Sequence, residues 1–333
     1  MNHVIIGAGI AGVTAAQAIK ETDNDADIVI IGKEDFAPYR RYLLSEFLCD
    51  SIAKADLTFA SVESIKDMGI KFRRGQSARL INPTEKWVQL DNNDVLHYDR
   101  LLIAAGGQPN LGHVLRPFLK HIQRYYTLKD VMVLKKKMAG IRKCIVFGEG
   151  FSCLDLLASL YNLGKDVTFI TKRESVELPL AEPGFNSGLR EFLEEKGIEV
   201  ITGDQVTAIS KFRSHFRVMT SKHGDLYGDI VFAWEQYKPY TACIKDTGIE
   251  KKTGILVNER LETSVKDIYA AGDCAQIFHP ALQDYWINFG WPNALEQGEI
   301  AGRNMAGGNE VYNIHEVLAF NIMGKELKAR WWE

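Results

Sequence analysis

Hydrophobic and polar positions alternate between two periods along the chain. His3 to Ile6 is a short β-type run, Val13 to Lys20 follows helical spacing, and Ile28 to Ile31 reads as a second buried strand. Far downstream the same order returns: Cys144 to Phe147 as strand, Leu154 to Leu163 as helix, Val167 to Ile170 as strand. Two βαβ units predict two open parallel sheets. Hairpin patterns lie between and after them, as where Trp87-Val88-Gln89-Leu90 and Val95-Leu96-His97-Tyr98 flank the polar turn 91–94. A further helix is expected from Pro292, a first-turn residue, through about Met305.

A chain of 333 residues favours two domains, and 46% hydrophobic with 25% charged residues excludes a disordered or low-complexity protein. The formal charge of −3 gives no electrostatic reason to expect nucleic acid or an anionic membrane. Lys135-Lys136-Lys137 reads as solvated helix surface. Cys49, Cys144, Cys153, Cys243 and Cys274 are scattered and never form CxxC, so no disulfide framework or structural zinc is expected, and a reducing cytoplasm fits. The dispersed histidines give metal chemistry no support. Val4 to Ala16 imitates a signal sequence, but no Lys or Arg precedes it and it is too short to span a bilayer.

The glycines of that segment have a chemical reading. Gly7-Ala8-Gly9-Ile10-Ala11-Gly12 joins strand to helix: Gly7 permits the tight turn, Gly9 lets backbone approach a pyrophosphate, and Gly12 lets helix pack on strand. The helix N-terminus then offers free N–H groups to an anion. An acid for the ribose hydroxyls is expected where the second strand ends, which makes Glu34 the candidate, with plain surface charge as its alternative. By residue type alone, Arg40-Arg41 divides evenly between anion contact and exposed charge.

The segment from Gly32 to Ser45, with Pro38-Tyr39-Arg40-Arg41-Tyr42-Leu43-Leu44-Ser45 at its end, resembles the FAD segment of rubredoxin reductases and of the N-terminal flavoprotein domain of assimilatory nitrite reductases. These belong to the FAD-dependent pyridine nucleotide-disulfide oxidoreductase superfamily. Asp99 to Pro109, with Ala104-Ala105-Gly106-Gly107, is similar to the family's crossover, and Thr263 to Asp273 is similar to its strand ending in Gly-Asp. The resemblance runs from Val4 to about Gly324 and implies FAD as cofactor. It implies Arg41 at the FAD phosphate or flavin edge, Asp273 on the ribityl hydroxyls, and the helix at Pro292 aimed at the pyrimidine edge. Trp291 either covers the ring or is structural. The full cofactor-contact set is Gly7, Gly9, Ile10, Ala11, Gly12, Glu34, Arg41, Ala78, Ala105, Gly106, Gly272, Asp273, Trp291 and Ala294, with no side-chain acid–base pair.

Departures from the family pattern qualify this. Glu46 stands where the family has lysine, and Tyr42 where some members keep a redox cysteine, so thiol–disulfide exchange is not expected and Cys49 reads as structure. The second glycine loop, Gly148-Glu149-Gly150-Phe151-Ser152-Cys153-Leu154-Asp155, has Cys153 for its third glycine and Asp155 for the family's glutamate. The Cys153 side chain pushes helix from strand, Glu149 adds charge beside a pyrophosphate, and both oppose NAD(P)H. Lys172 and Arg173 after the next strand favour NADP over NAD or are solvent charges. Trp234, Glu235 and Tyr237 crowd the place of a nicotinamide-side glycine.

The expected fold is α/β, with two nested Rossmann-like domains of glutathione reductase type: residues 1–110 and 245–312 for FAD, 111–244 for a nucleotide-like unit, and a short segment 313–333. The resemblance leads one to expect a C-terminal interface domain, of which little remains, and Trp331-Trp332 suggest contact with another subunit. The leading expectation is an oxidoreductase moving electrons between NAD(P)H and a redox protein such as a ferredoxin, a rubredoxin or a reductase subunit. The alternatives are a partner-fed electron-transfer or structural subunit and an adaptor that uses flavin to fold. Neither nucleic acid nor membrane is an expected partner, and a larger complex or a homo-oligomer both stay open.

Overall fold

The computed structural model describes residues 1–176, 188–234, 236–280, 283–313 and 318–329. Glu235, Trp331 and Trp332, singled out above, lie outside the described residues.

The first unit opens with strand β1 (Asn2–Ile6), helix α1 (Ile10–Thr22) and strand β2 (Asp27–Gly32), followed by β3 (Ile70–Arg74) and β4 (Arg100–Ile103). A ribbon strand, β5 (Gly107–Asn110), leads away from it toward helix α2 (Leu128–Lys137). The second unit holds β6 (Lys143–Gly148), helix α3 (Phe151–Asn162), β7 (Asp166–Ile170), β8 (Glu199–Ile201) and β9 (Ile230–Trp234). The returning ribbon strand β10 (Gln236–Pro239) precedes β11 (Ile268–Ala270) and helix α4 (Trp291–Met305).

The first sheet has the order β11-β4-β1-β2-β3 and the second β8-β7-β6-β9, every pairing being parallel. Late strand β11 therefore completes the early sheet, which nests the second unit inside the first. In β1, Val4, Ile5 and Ile6 are all buried, the unbroken apolar run of a strand covered on both faces. Each such side chain contributes about 2 kcal/mol of burial. The two units are joined by the antiparallel ribbon of β5 and β10, which pairs Tyr237 with Pro109 and Pro239 with Gly107.

Both helices that follow glycine loops start three residues earlier than hydrophobic spacing suggests, because the glycine before each is its N-cap: Gly9 for α1, Gly150 for α3. The missed first turns are themselves partly buried, at Ala11 and Gly12 in α1 and at Cys153 in α3. Helix α4 crosses α1 closely. A Cβ on Gly298 would overlap Ala11 backbone, and one on Gly302 would overlap Ala15. That contact brings the N-terminus of α4 beside the first glycine loop.

The reading of Lys135 as solvated surface is corrected. Its ammonium donates to the Phe47 carbonyl at 2.6 Å and pairs with Asp50 at 2.6 Å, so α2 is tied to the helix Leu44–Leu48. Lys136 and Lys137 are exposed. All five cysteines are free. Among the described residues no helix is long and apolar enough to cross a membrane.

Candidate functional site

At the first loop, Gly7 has φ +119° and a Cβ there would overlap the Ala104 carbonyl, while a Cβ on Gly12 would overlap the Gly7 carbonyl oxygen. Two strand ends and a helix thus meet at a separation only glycine permits. Gly9 is exposed, with open space where its side chain would be. Helix α1 has no side-chain N-cap and no acid in its first turn, so its leading N–H groups and positive dipole end are unneutralised. Such a terminus suits an anionic pyrophosphate. Ile10 and Ala11 form the first turn, and Ala11 lies against Gly272.

The arginine pair divides cleanly. Arg40 donates to the Thr58 carbonyl at 3.0 Å and serves the backbone, whereas Arg41 joins an aromatic and acidic group. Its Nη2 donates to Glu34 Oε1 at 2.7 Å and its Nη1 to the Tyr126 carbonyl at 2.6 Å. The guanidinium centre lies 4.5 Å from the Tyr126 ring centroid. Tyr39 donates to Glu34 at 3.0 Å and accepts from the Leu128 N–H at 3.0 Å. Glu34 is therefore bound to Arg41 and Tyr39, with its side chain one-quarter exposed.

Beside the first turn of α1, β11 ends in Ala271-Gly272-Asp273. Asp273 Oδ1 accepts from the N–H of Gly290, the N-cap of α4, at 3.2 Å, and Oδ2 accepts from Tyr237 at 2.7 Å. Burial pushes this carboxyl above the usual range while the two donors and Arg41 oppose the shift. The Gly272 N–H donates to Gln297 Oε1 at 2.7 Å, locking the strand end to α4. Ala294 is buried beside Gly272, and Trp291 stands edge-on to Tyr42 at 5.2 Å and Phe59 at 5.1 Å. Ala105 and Gly106 are partly exposed, and Gly106 has open space at its Cβ position. Ala78 begins a separate antiparallel strand, Ala78–Asn82, and packs against the core of the first unit.

The second loop differs. The Glu149 carboxylate pairs with the Arg173 guanidinium, and the Glu149 N–H donates to the Trp234 carbonyl at 3.0 Å. The Glu149 side chain is only 9% exposed, so a buried acid stands at the mouth of α3. A space of about 10 Å³ remains between Glu149, Gly150, Leu154, Phe169, Thr171 and Val176, room for one water. The buried Cys153 sulfur lies against Gly148, filling the gap a third glycine would leave. Arg173 is engaged by Glu149, and Lys172 is exposed.

Asp155 lies where the two units meet. Tyr125 donates to its Oδ2 at 3.2 Å, and burial pushes its carboxyl up to about 6 despite hydrogen bonds from Ser45 and Tyr125; the charge of Glu46 adds to the rise. Cys49 is half-buried with its thiol toward the Ser159 carbonyl, and burial pushes that thiol up, away from the reactive thiolate. Among the described residues no group of three metal-ligating side chains occurs.

Sequence reasoning missed Tyr126, which stacks on Arg41 and donates to the Gly107 carbonyl, and Gln297. A signal for the former was present: Tyr125-Tyr126 immediately precedes the capping box of Thr127 and Asp130 that starts α2. Tyr237, expected near the nicotinamide, directs its hydroxyl at Asp273.

Two parallel sheets, two glycine-loop helices and a strand-end aspartate together describe the paired-sheet fold of a dinucleotide-binding oxidoreductase. The family model for pyridine nucleotide-disulphide oxidoreductases matches residues 1–298, and the chain belongs to that family. It is 31% identical over 315 residues to the NADH-rubredoxin oxidoreductase of Clostridium acetobutylicum, covering 93% of this chain and 76% of that one. It is 29% identical over 304 residues to the 3-phenylpropionate/cinnamic acid dioxygenase ferredoxin--NAD(+) reductase component of Photorhabdus laumondii, covering 91% and 77%. Among solved structures, the ferredoxin reductase for the CYP199A2 system from Rhodopseudomonas palustris superimposes with a TM-score of 0.91 at 22% identity, over 98% of this chain and 81% of that one.

Proposed function

We propose that this protein is an FAD-dependent oxidoreductase that moves electrons between a nicotinamide nucleotide and a small redox protein. The observation that carries the reading is the uncapped α1 terminus at the open Gly9, with the strand-end Gly272 against Ala11 of its first turn and Arg41 near enough to act on the Asp273 carboxyl. These residues fit the group: free amides for its phosphates, an acceptor carboxylate for its polyol, and the Arg41 guanidinium, paired with Glu34, as a neighbouring positive charge. When bound, the flavin supplies two-electron acceptance and one-electron release. The chain's own part is to hold and tune. Gly9, Ile10 and Ala11 would present N–H groups to the pyrophosphate, Arg41 would add fixed positive charge, Asp273 would accept from the polyol, and the positive end of α4 would favour negative charge at the ring. The working boundaries of the units are 1–110 with 245–312, and 111–244. Relatives named as ferredoxin and rubredoxin reductases support a protein acceptor.

Anaerobic addition of NADH, then NADPH, to the FAD-loaded protein tests this. Rapid bleaching of flavin absorbance by either is expected; no bleaching, with dithionite reduction intact, sinks direct hydride input. The Glu149–Arg173 pair favours that second outcome and the second reading it implies, a flavoprotein reduced by a partner rather than by a nucleotide.

A further inference from the structure

The flavin reading gives Asp273 a polyol to orient, and the structure shows what orients Asp273. Tyr237 belongs to β10, the strand returning from the second unit, yet its hydroxyl reaches the strand end of the first unit. With Tyr237 on Oδ2 and the Gly290 amide on Oδ1, each carboxylate oxygen holds one protein donor, so rotation of the group is blocked. Each oxygen keeps a second lone pair for other hydroxyls. The phenol ring fits because residue 107 is glycine: a Cβ there would overlap the ring, and the hydroxyl would lie 2.8 Å away. Phe289 packs edge-on at 5.3 Å, and Tyr126, itself stacked on Arg41, lies at 6.2 Å. A continuous line of side chains, Arg41, Tyr126, Tyr237 and Asp273, thus connects the two anchors of the cleft. Burial and the nearby Asp273 charge raise Tyr237 well above the ordinary phenol value, which keeps it a donor.

We propose that Tyr237 is the positioning residue of the ribityl site, fixing the Asp273 carboxylate from the ribbon that joins the two units, a role that rests on the flavin reading above. Two consequences follow. A ligand with a ribityl chain senses Tyr237, and one without it does not. Displacement of the ribbon also changes the carboxylate that the polyol meets.

The test compares wild type with Tyr237→Phe, which keeps the ring on Gly107 and removes the donor. Dissociation constants are measured for FAD, by quenching of flavin fluorescence, and for ADP, by calorimetry, since ADP has the pyrophosphate and no ribityl chain. The expected result is FAD affinity weakened about fivefold, the effect of one hydrogen bond, with ADP affinity unchanged. A pH series adds a readout that simple loosening would not move. The groups facing Asp273 are Tyr237 from the ribbon, the Gly290 amide from α4, and the charge of Arg41 from the turn after β2. Removal of one donor disfavours the ionised carboxylate, so loss of FAD on acidification should begin at higher pH in the variant. Equal weakening of FAD and ADP, or no change in FAD, overturns the role of Tyr237 while leaving the flavin reading intact. Wild-type protein that binds ADP and refuses FAD, or refuses both, overturns the flavin reading and this role with it.

Discussion

The Glu149 carboxylate is held by the Arg173 guanidinium at the N-terminus of α3, where a nucleotide pyrophosphate would approach. One ion pair therefore removes two binding features at once: an anion occupies the positive helix end, and the cation suited to a 2′-phosphate is already engaged. Glu149→Gln removes the negative charge from the mouth of α3. Its dissociation constant for NADPH, followed by quenching of tryptophan fluorescence, should fall about fivefold. An unchanged constant would show that the pair is not what limits nucleotide binding.

Gly12 and Gly9 should separate folding from binding. A methyl at 12 meets the fixed Gly7 carbonyl, so Gly12→Ala should lose about 3 kcal/mol of stability. A methyl at 9 meets nothing within 4 Å, and φ −78° suits alanine. Gly9→Ala should melt like wild type yet bind FAD at least about tenfold more weakly, because its methyl enters the cleft where backbone and phosphate approach. Equal FAD affinity in Gly9→Ala would place the pyrophosphate elsewhere.

Asp155 predicts a pH dependence of stability. Its folded value of about 6 lies above its ordinary 3.8, so the native state binds more protons than the unfolded chain between these limits. Stability contributed by this group is full below about pH 4 and is lost as pH rises through 6, a change of about 2 to 3 kcal/mol. Asp155→Asn keeps an acceptor for Tyr125 and should be about 2 kcal/mol more stable than wild type at pH 7. Melting curves at several pH values check this; parallel profiles for the two proteins would contradict it.

Arg41 uses its fork in two directions, toward Glu34 and the Tyr126 carbonyl, and its plane against the Tyr126 ring. Lysine keeps the charge and cannot reproduce that geometry. Arg41→Lys should therefore weaken FAD about tenfold, measured by flavin fluorescence, and a variant equal to wild type would reduce Arg41 to a point charge.

Both βαβ units were legible in the chain because their signals are local: apolar runs of strand length, glycines at fixed offsets, and helical spacing between them. Gly7, Gly12, Gly272 and Asp273 could be marked as candidates for the same reason, since a tight turn or a strand-end acid is a property of neighbouring residues. The tertiary structure alone decided the partners. Tyr126 is 85 residues from Arg41, Tyr237 is 36 from Asp273, and Glu149 is 24 from Arg173. Local spacing carries no information about which side chains meet across a ribbon or a sheet edge. Those meetings depend on how the β5–β10 ribbon seats one unit on the other, and on which buried carboxylates then find a donor.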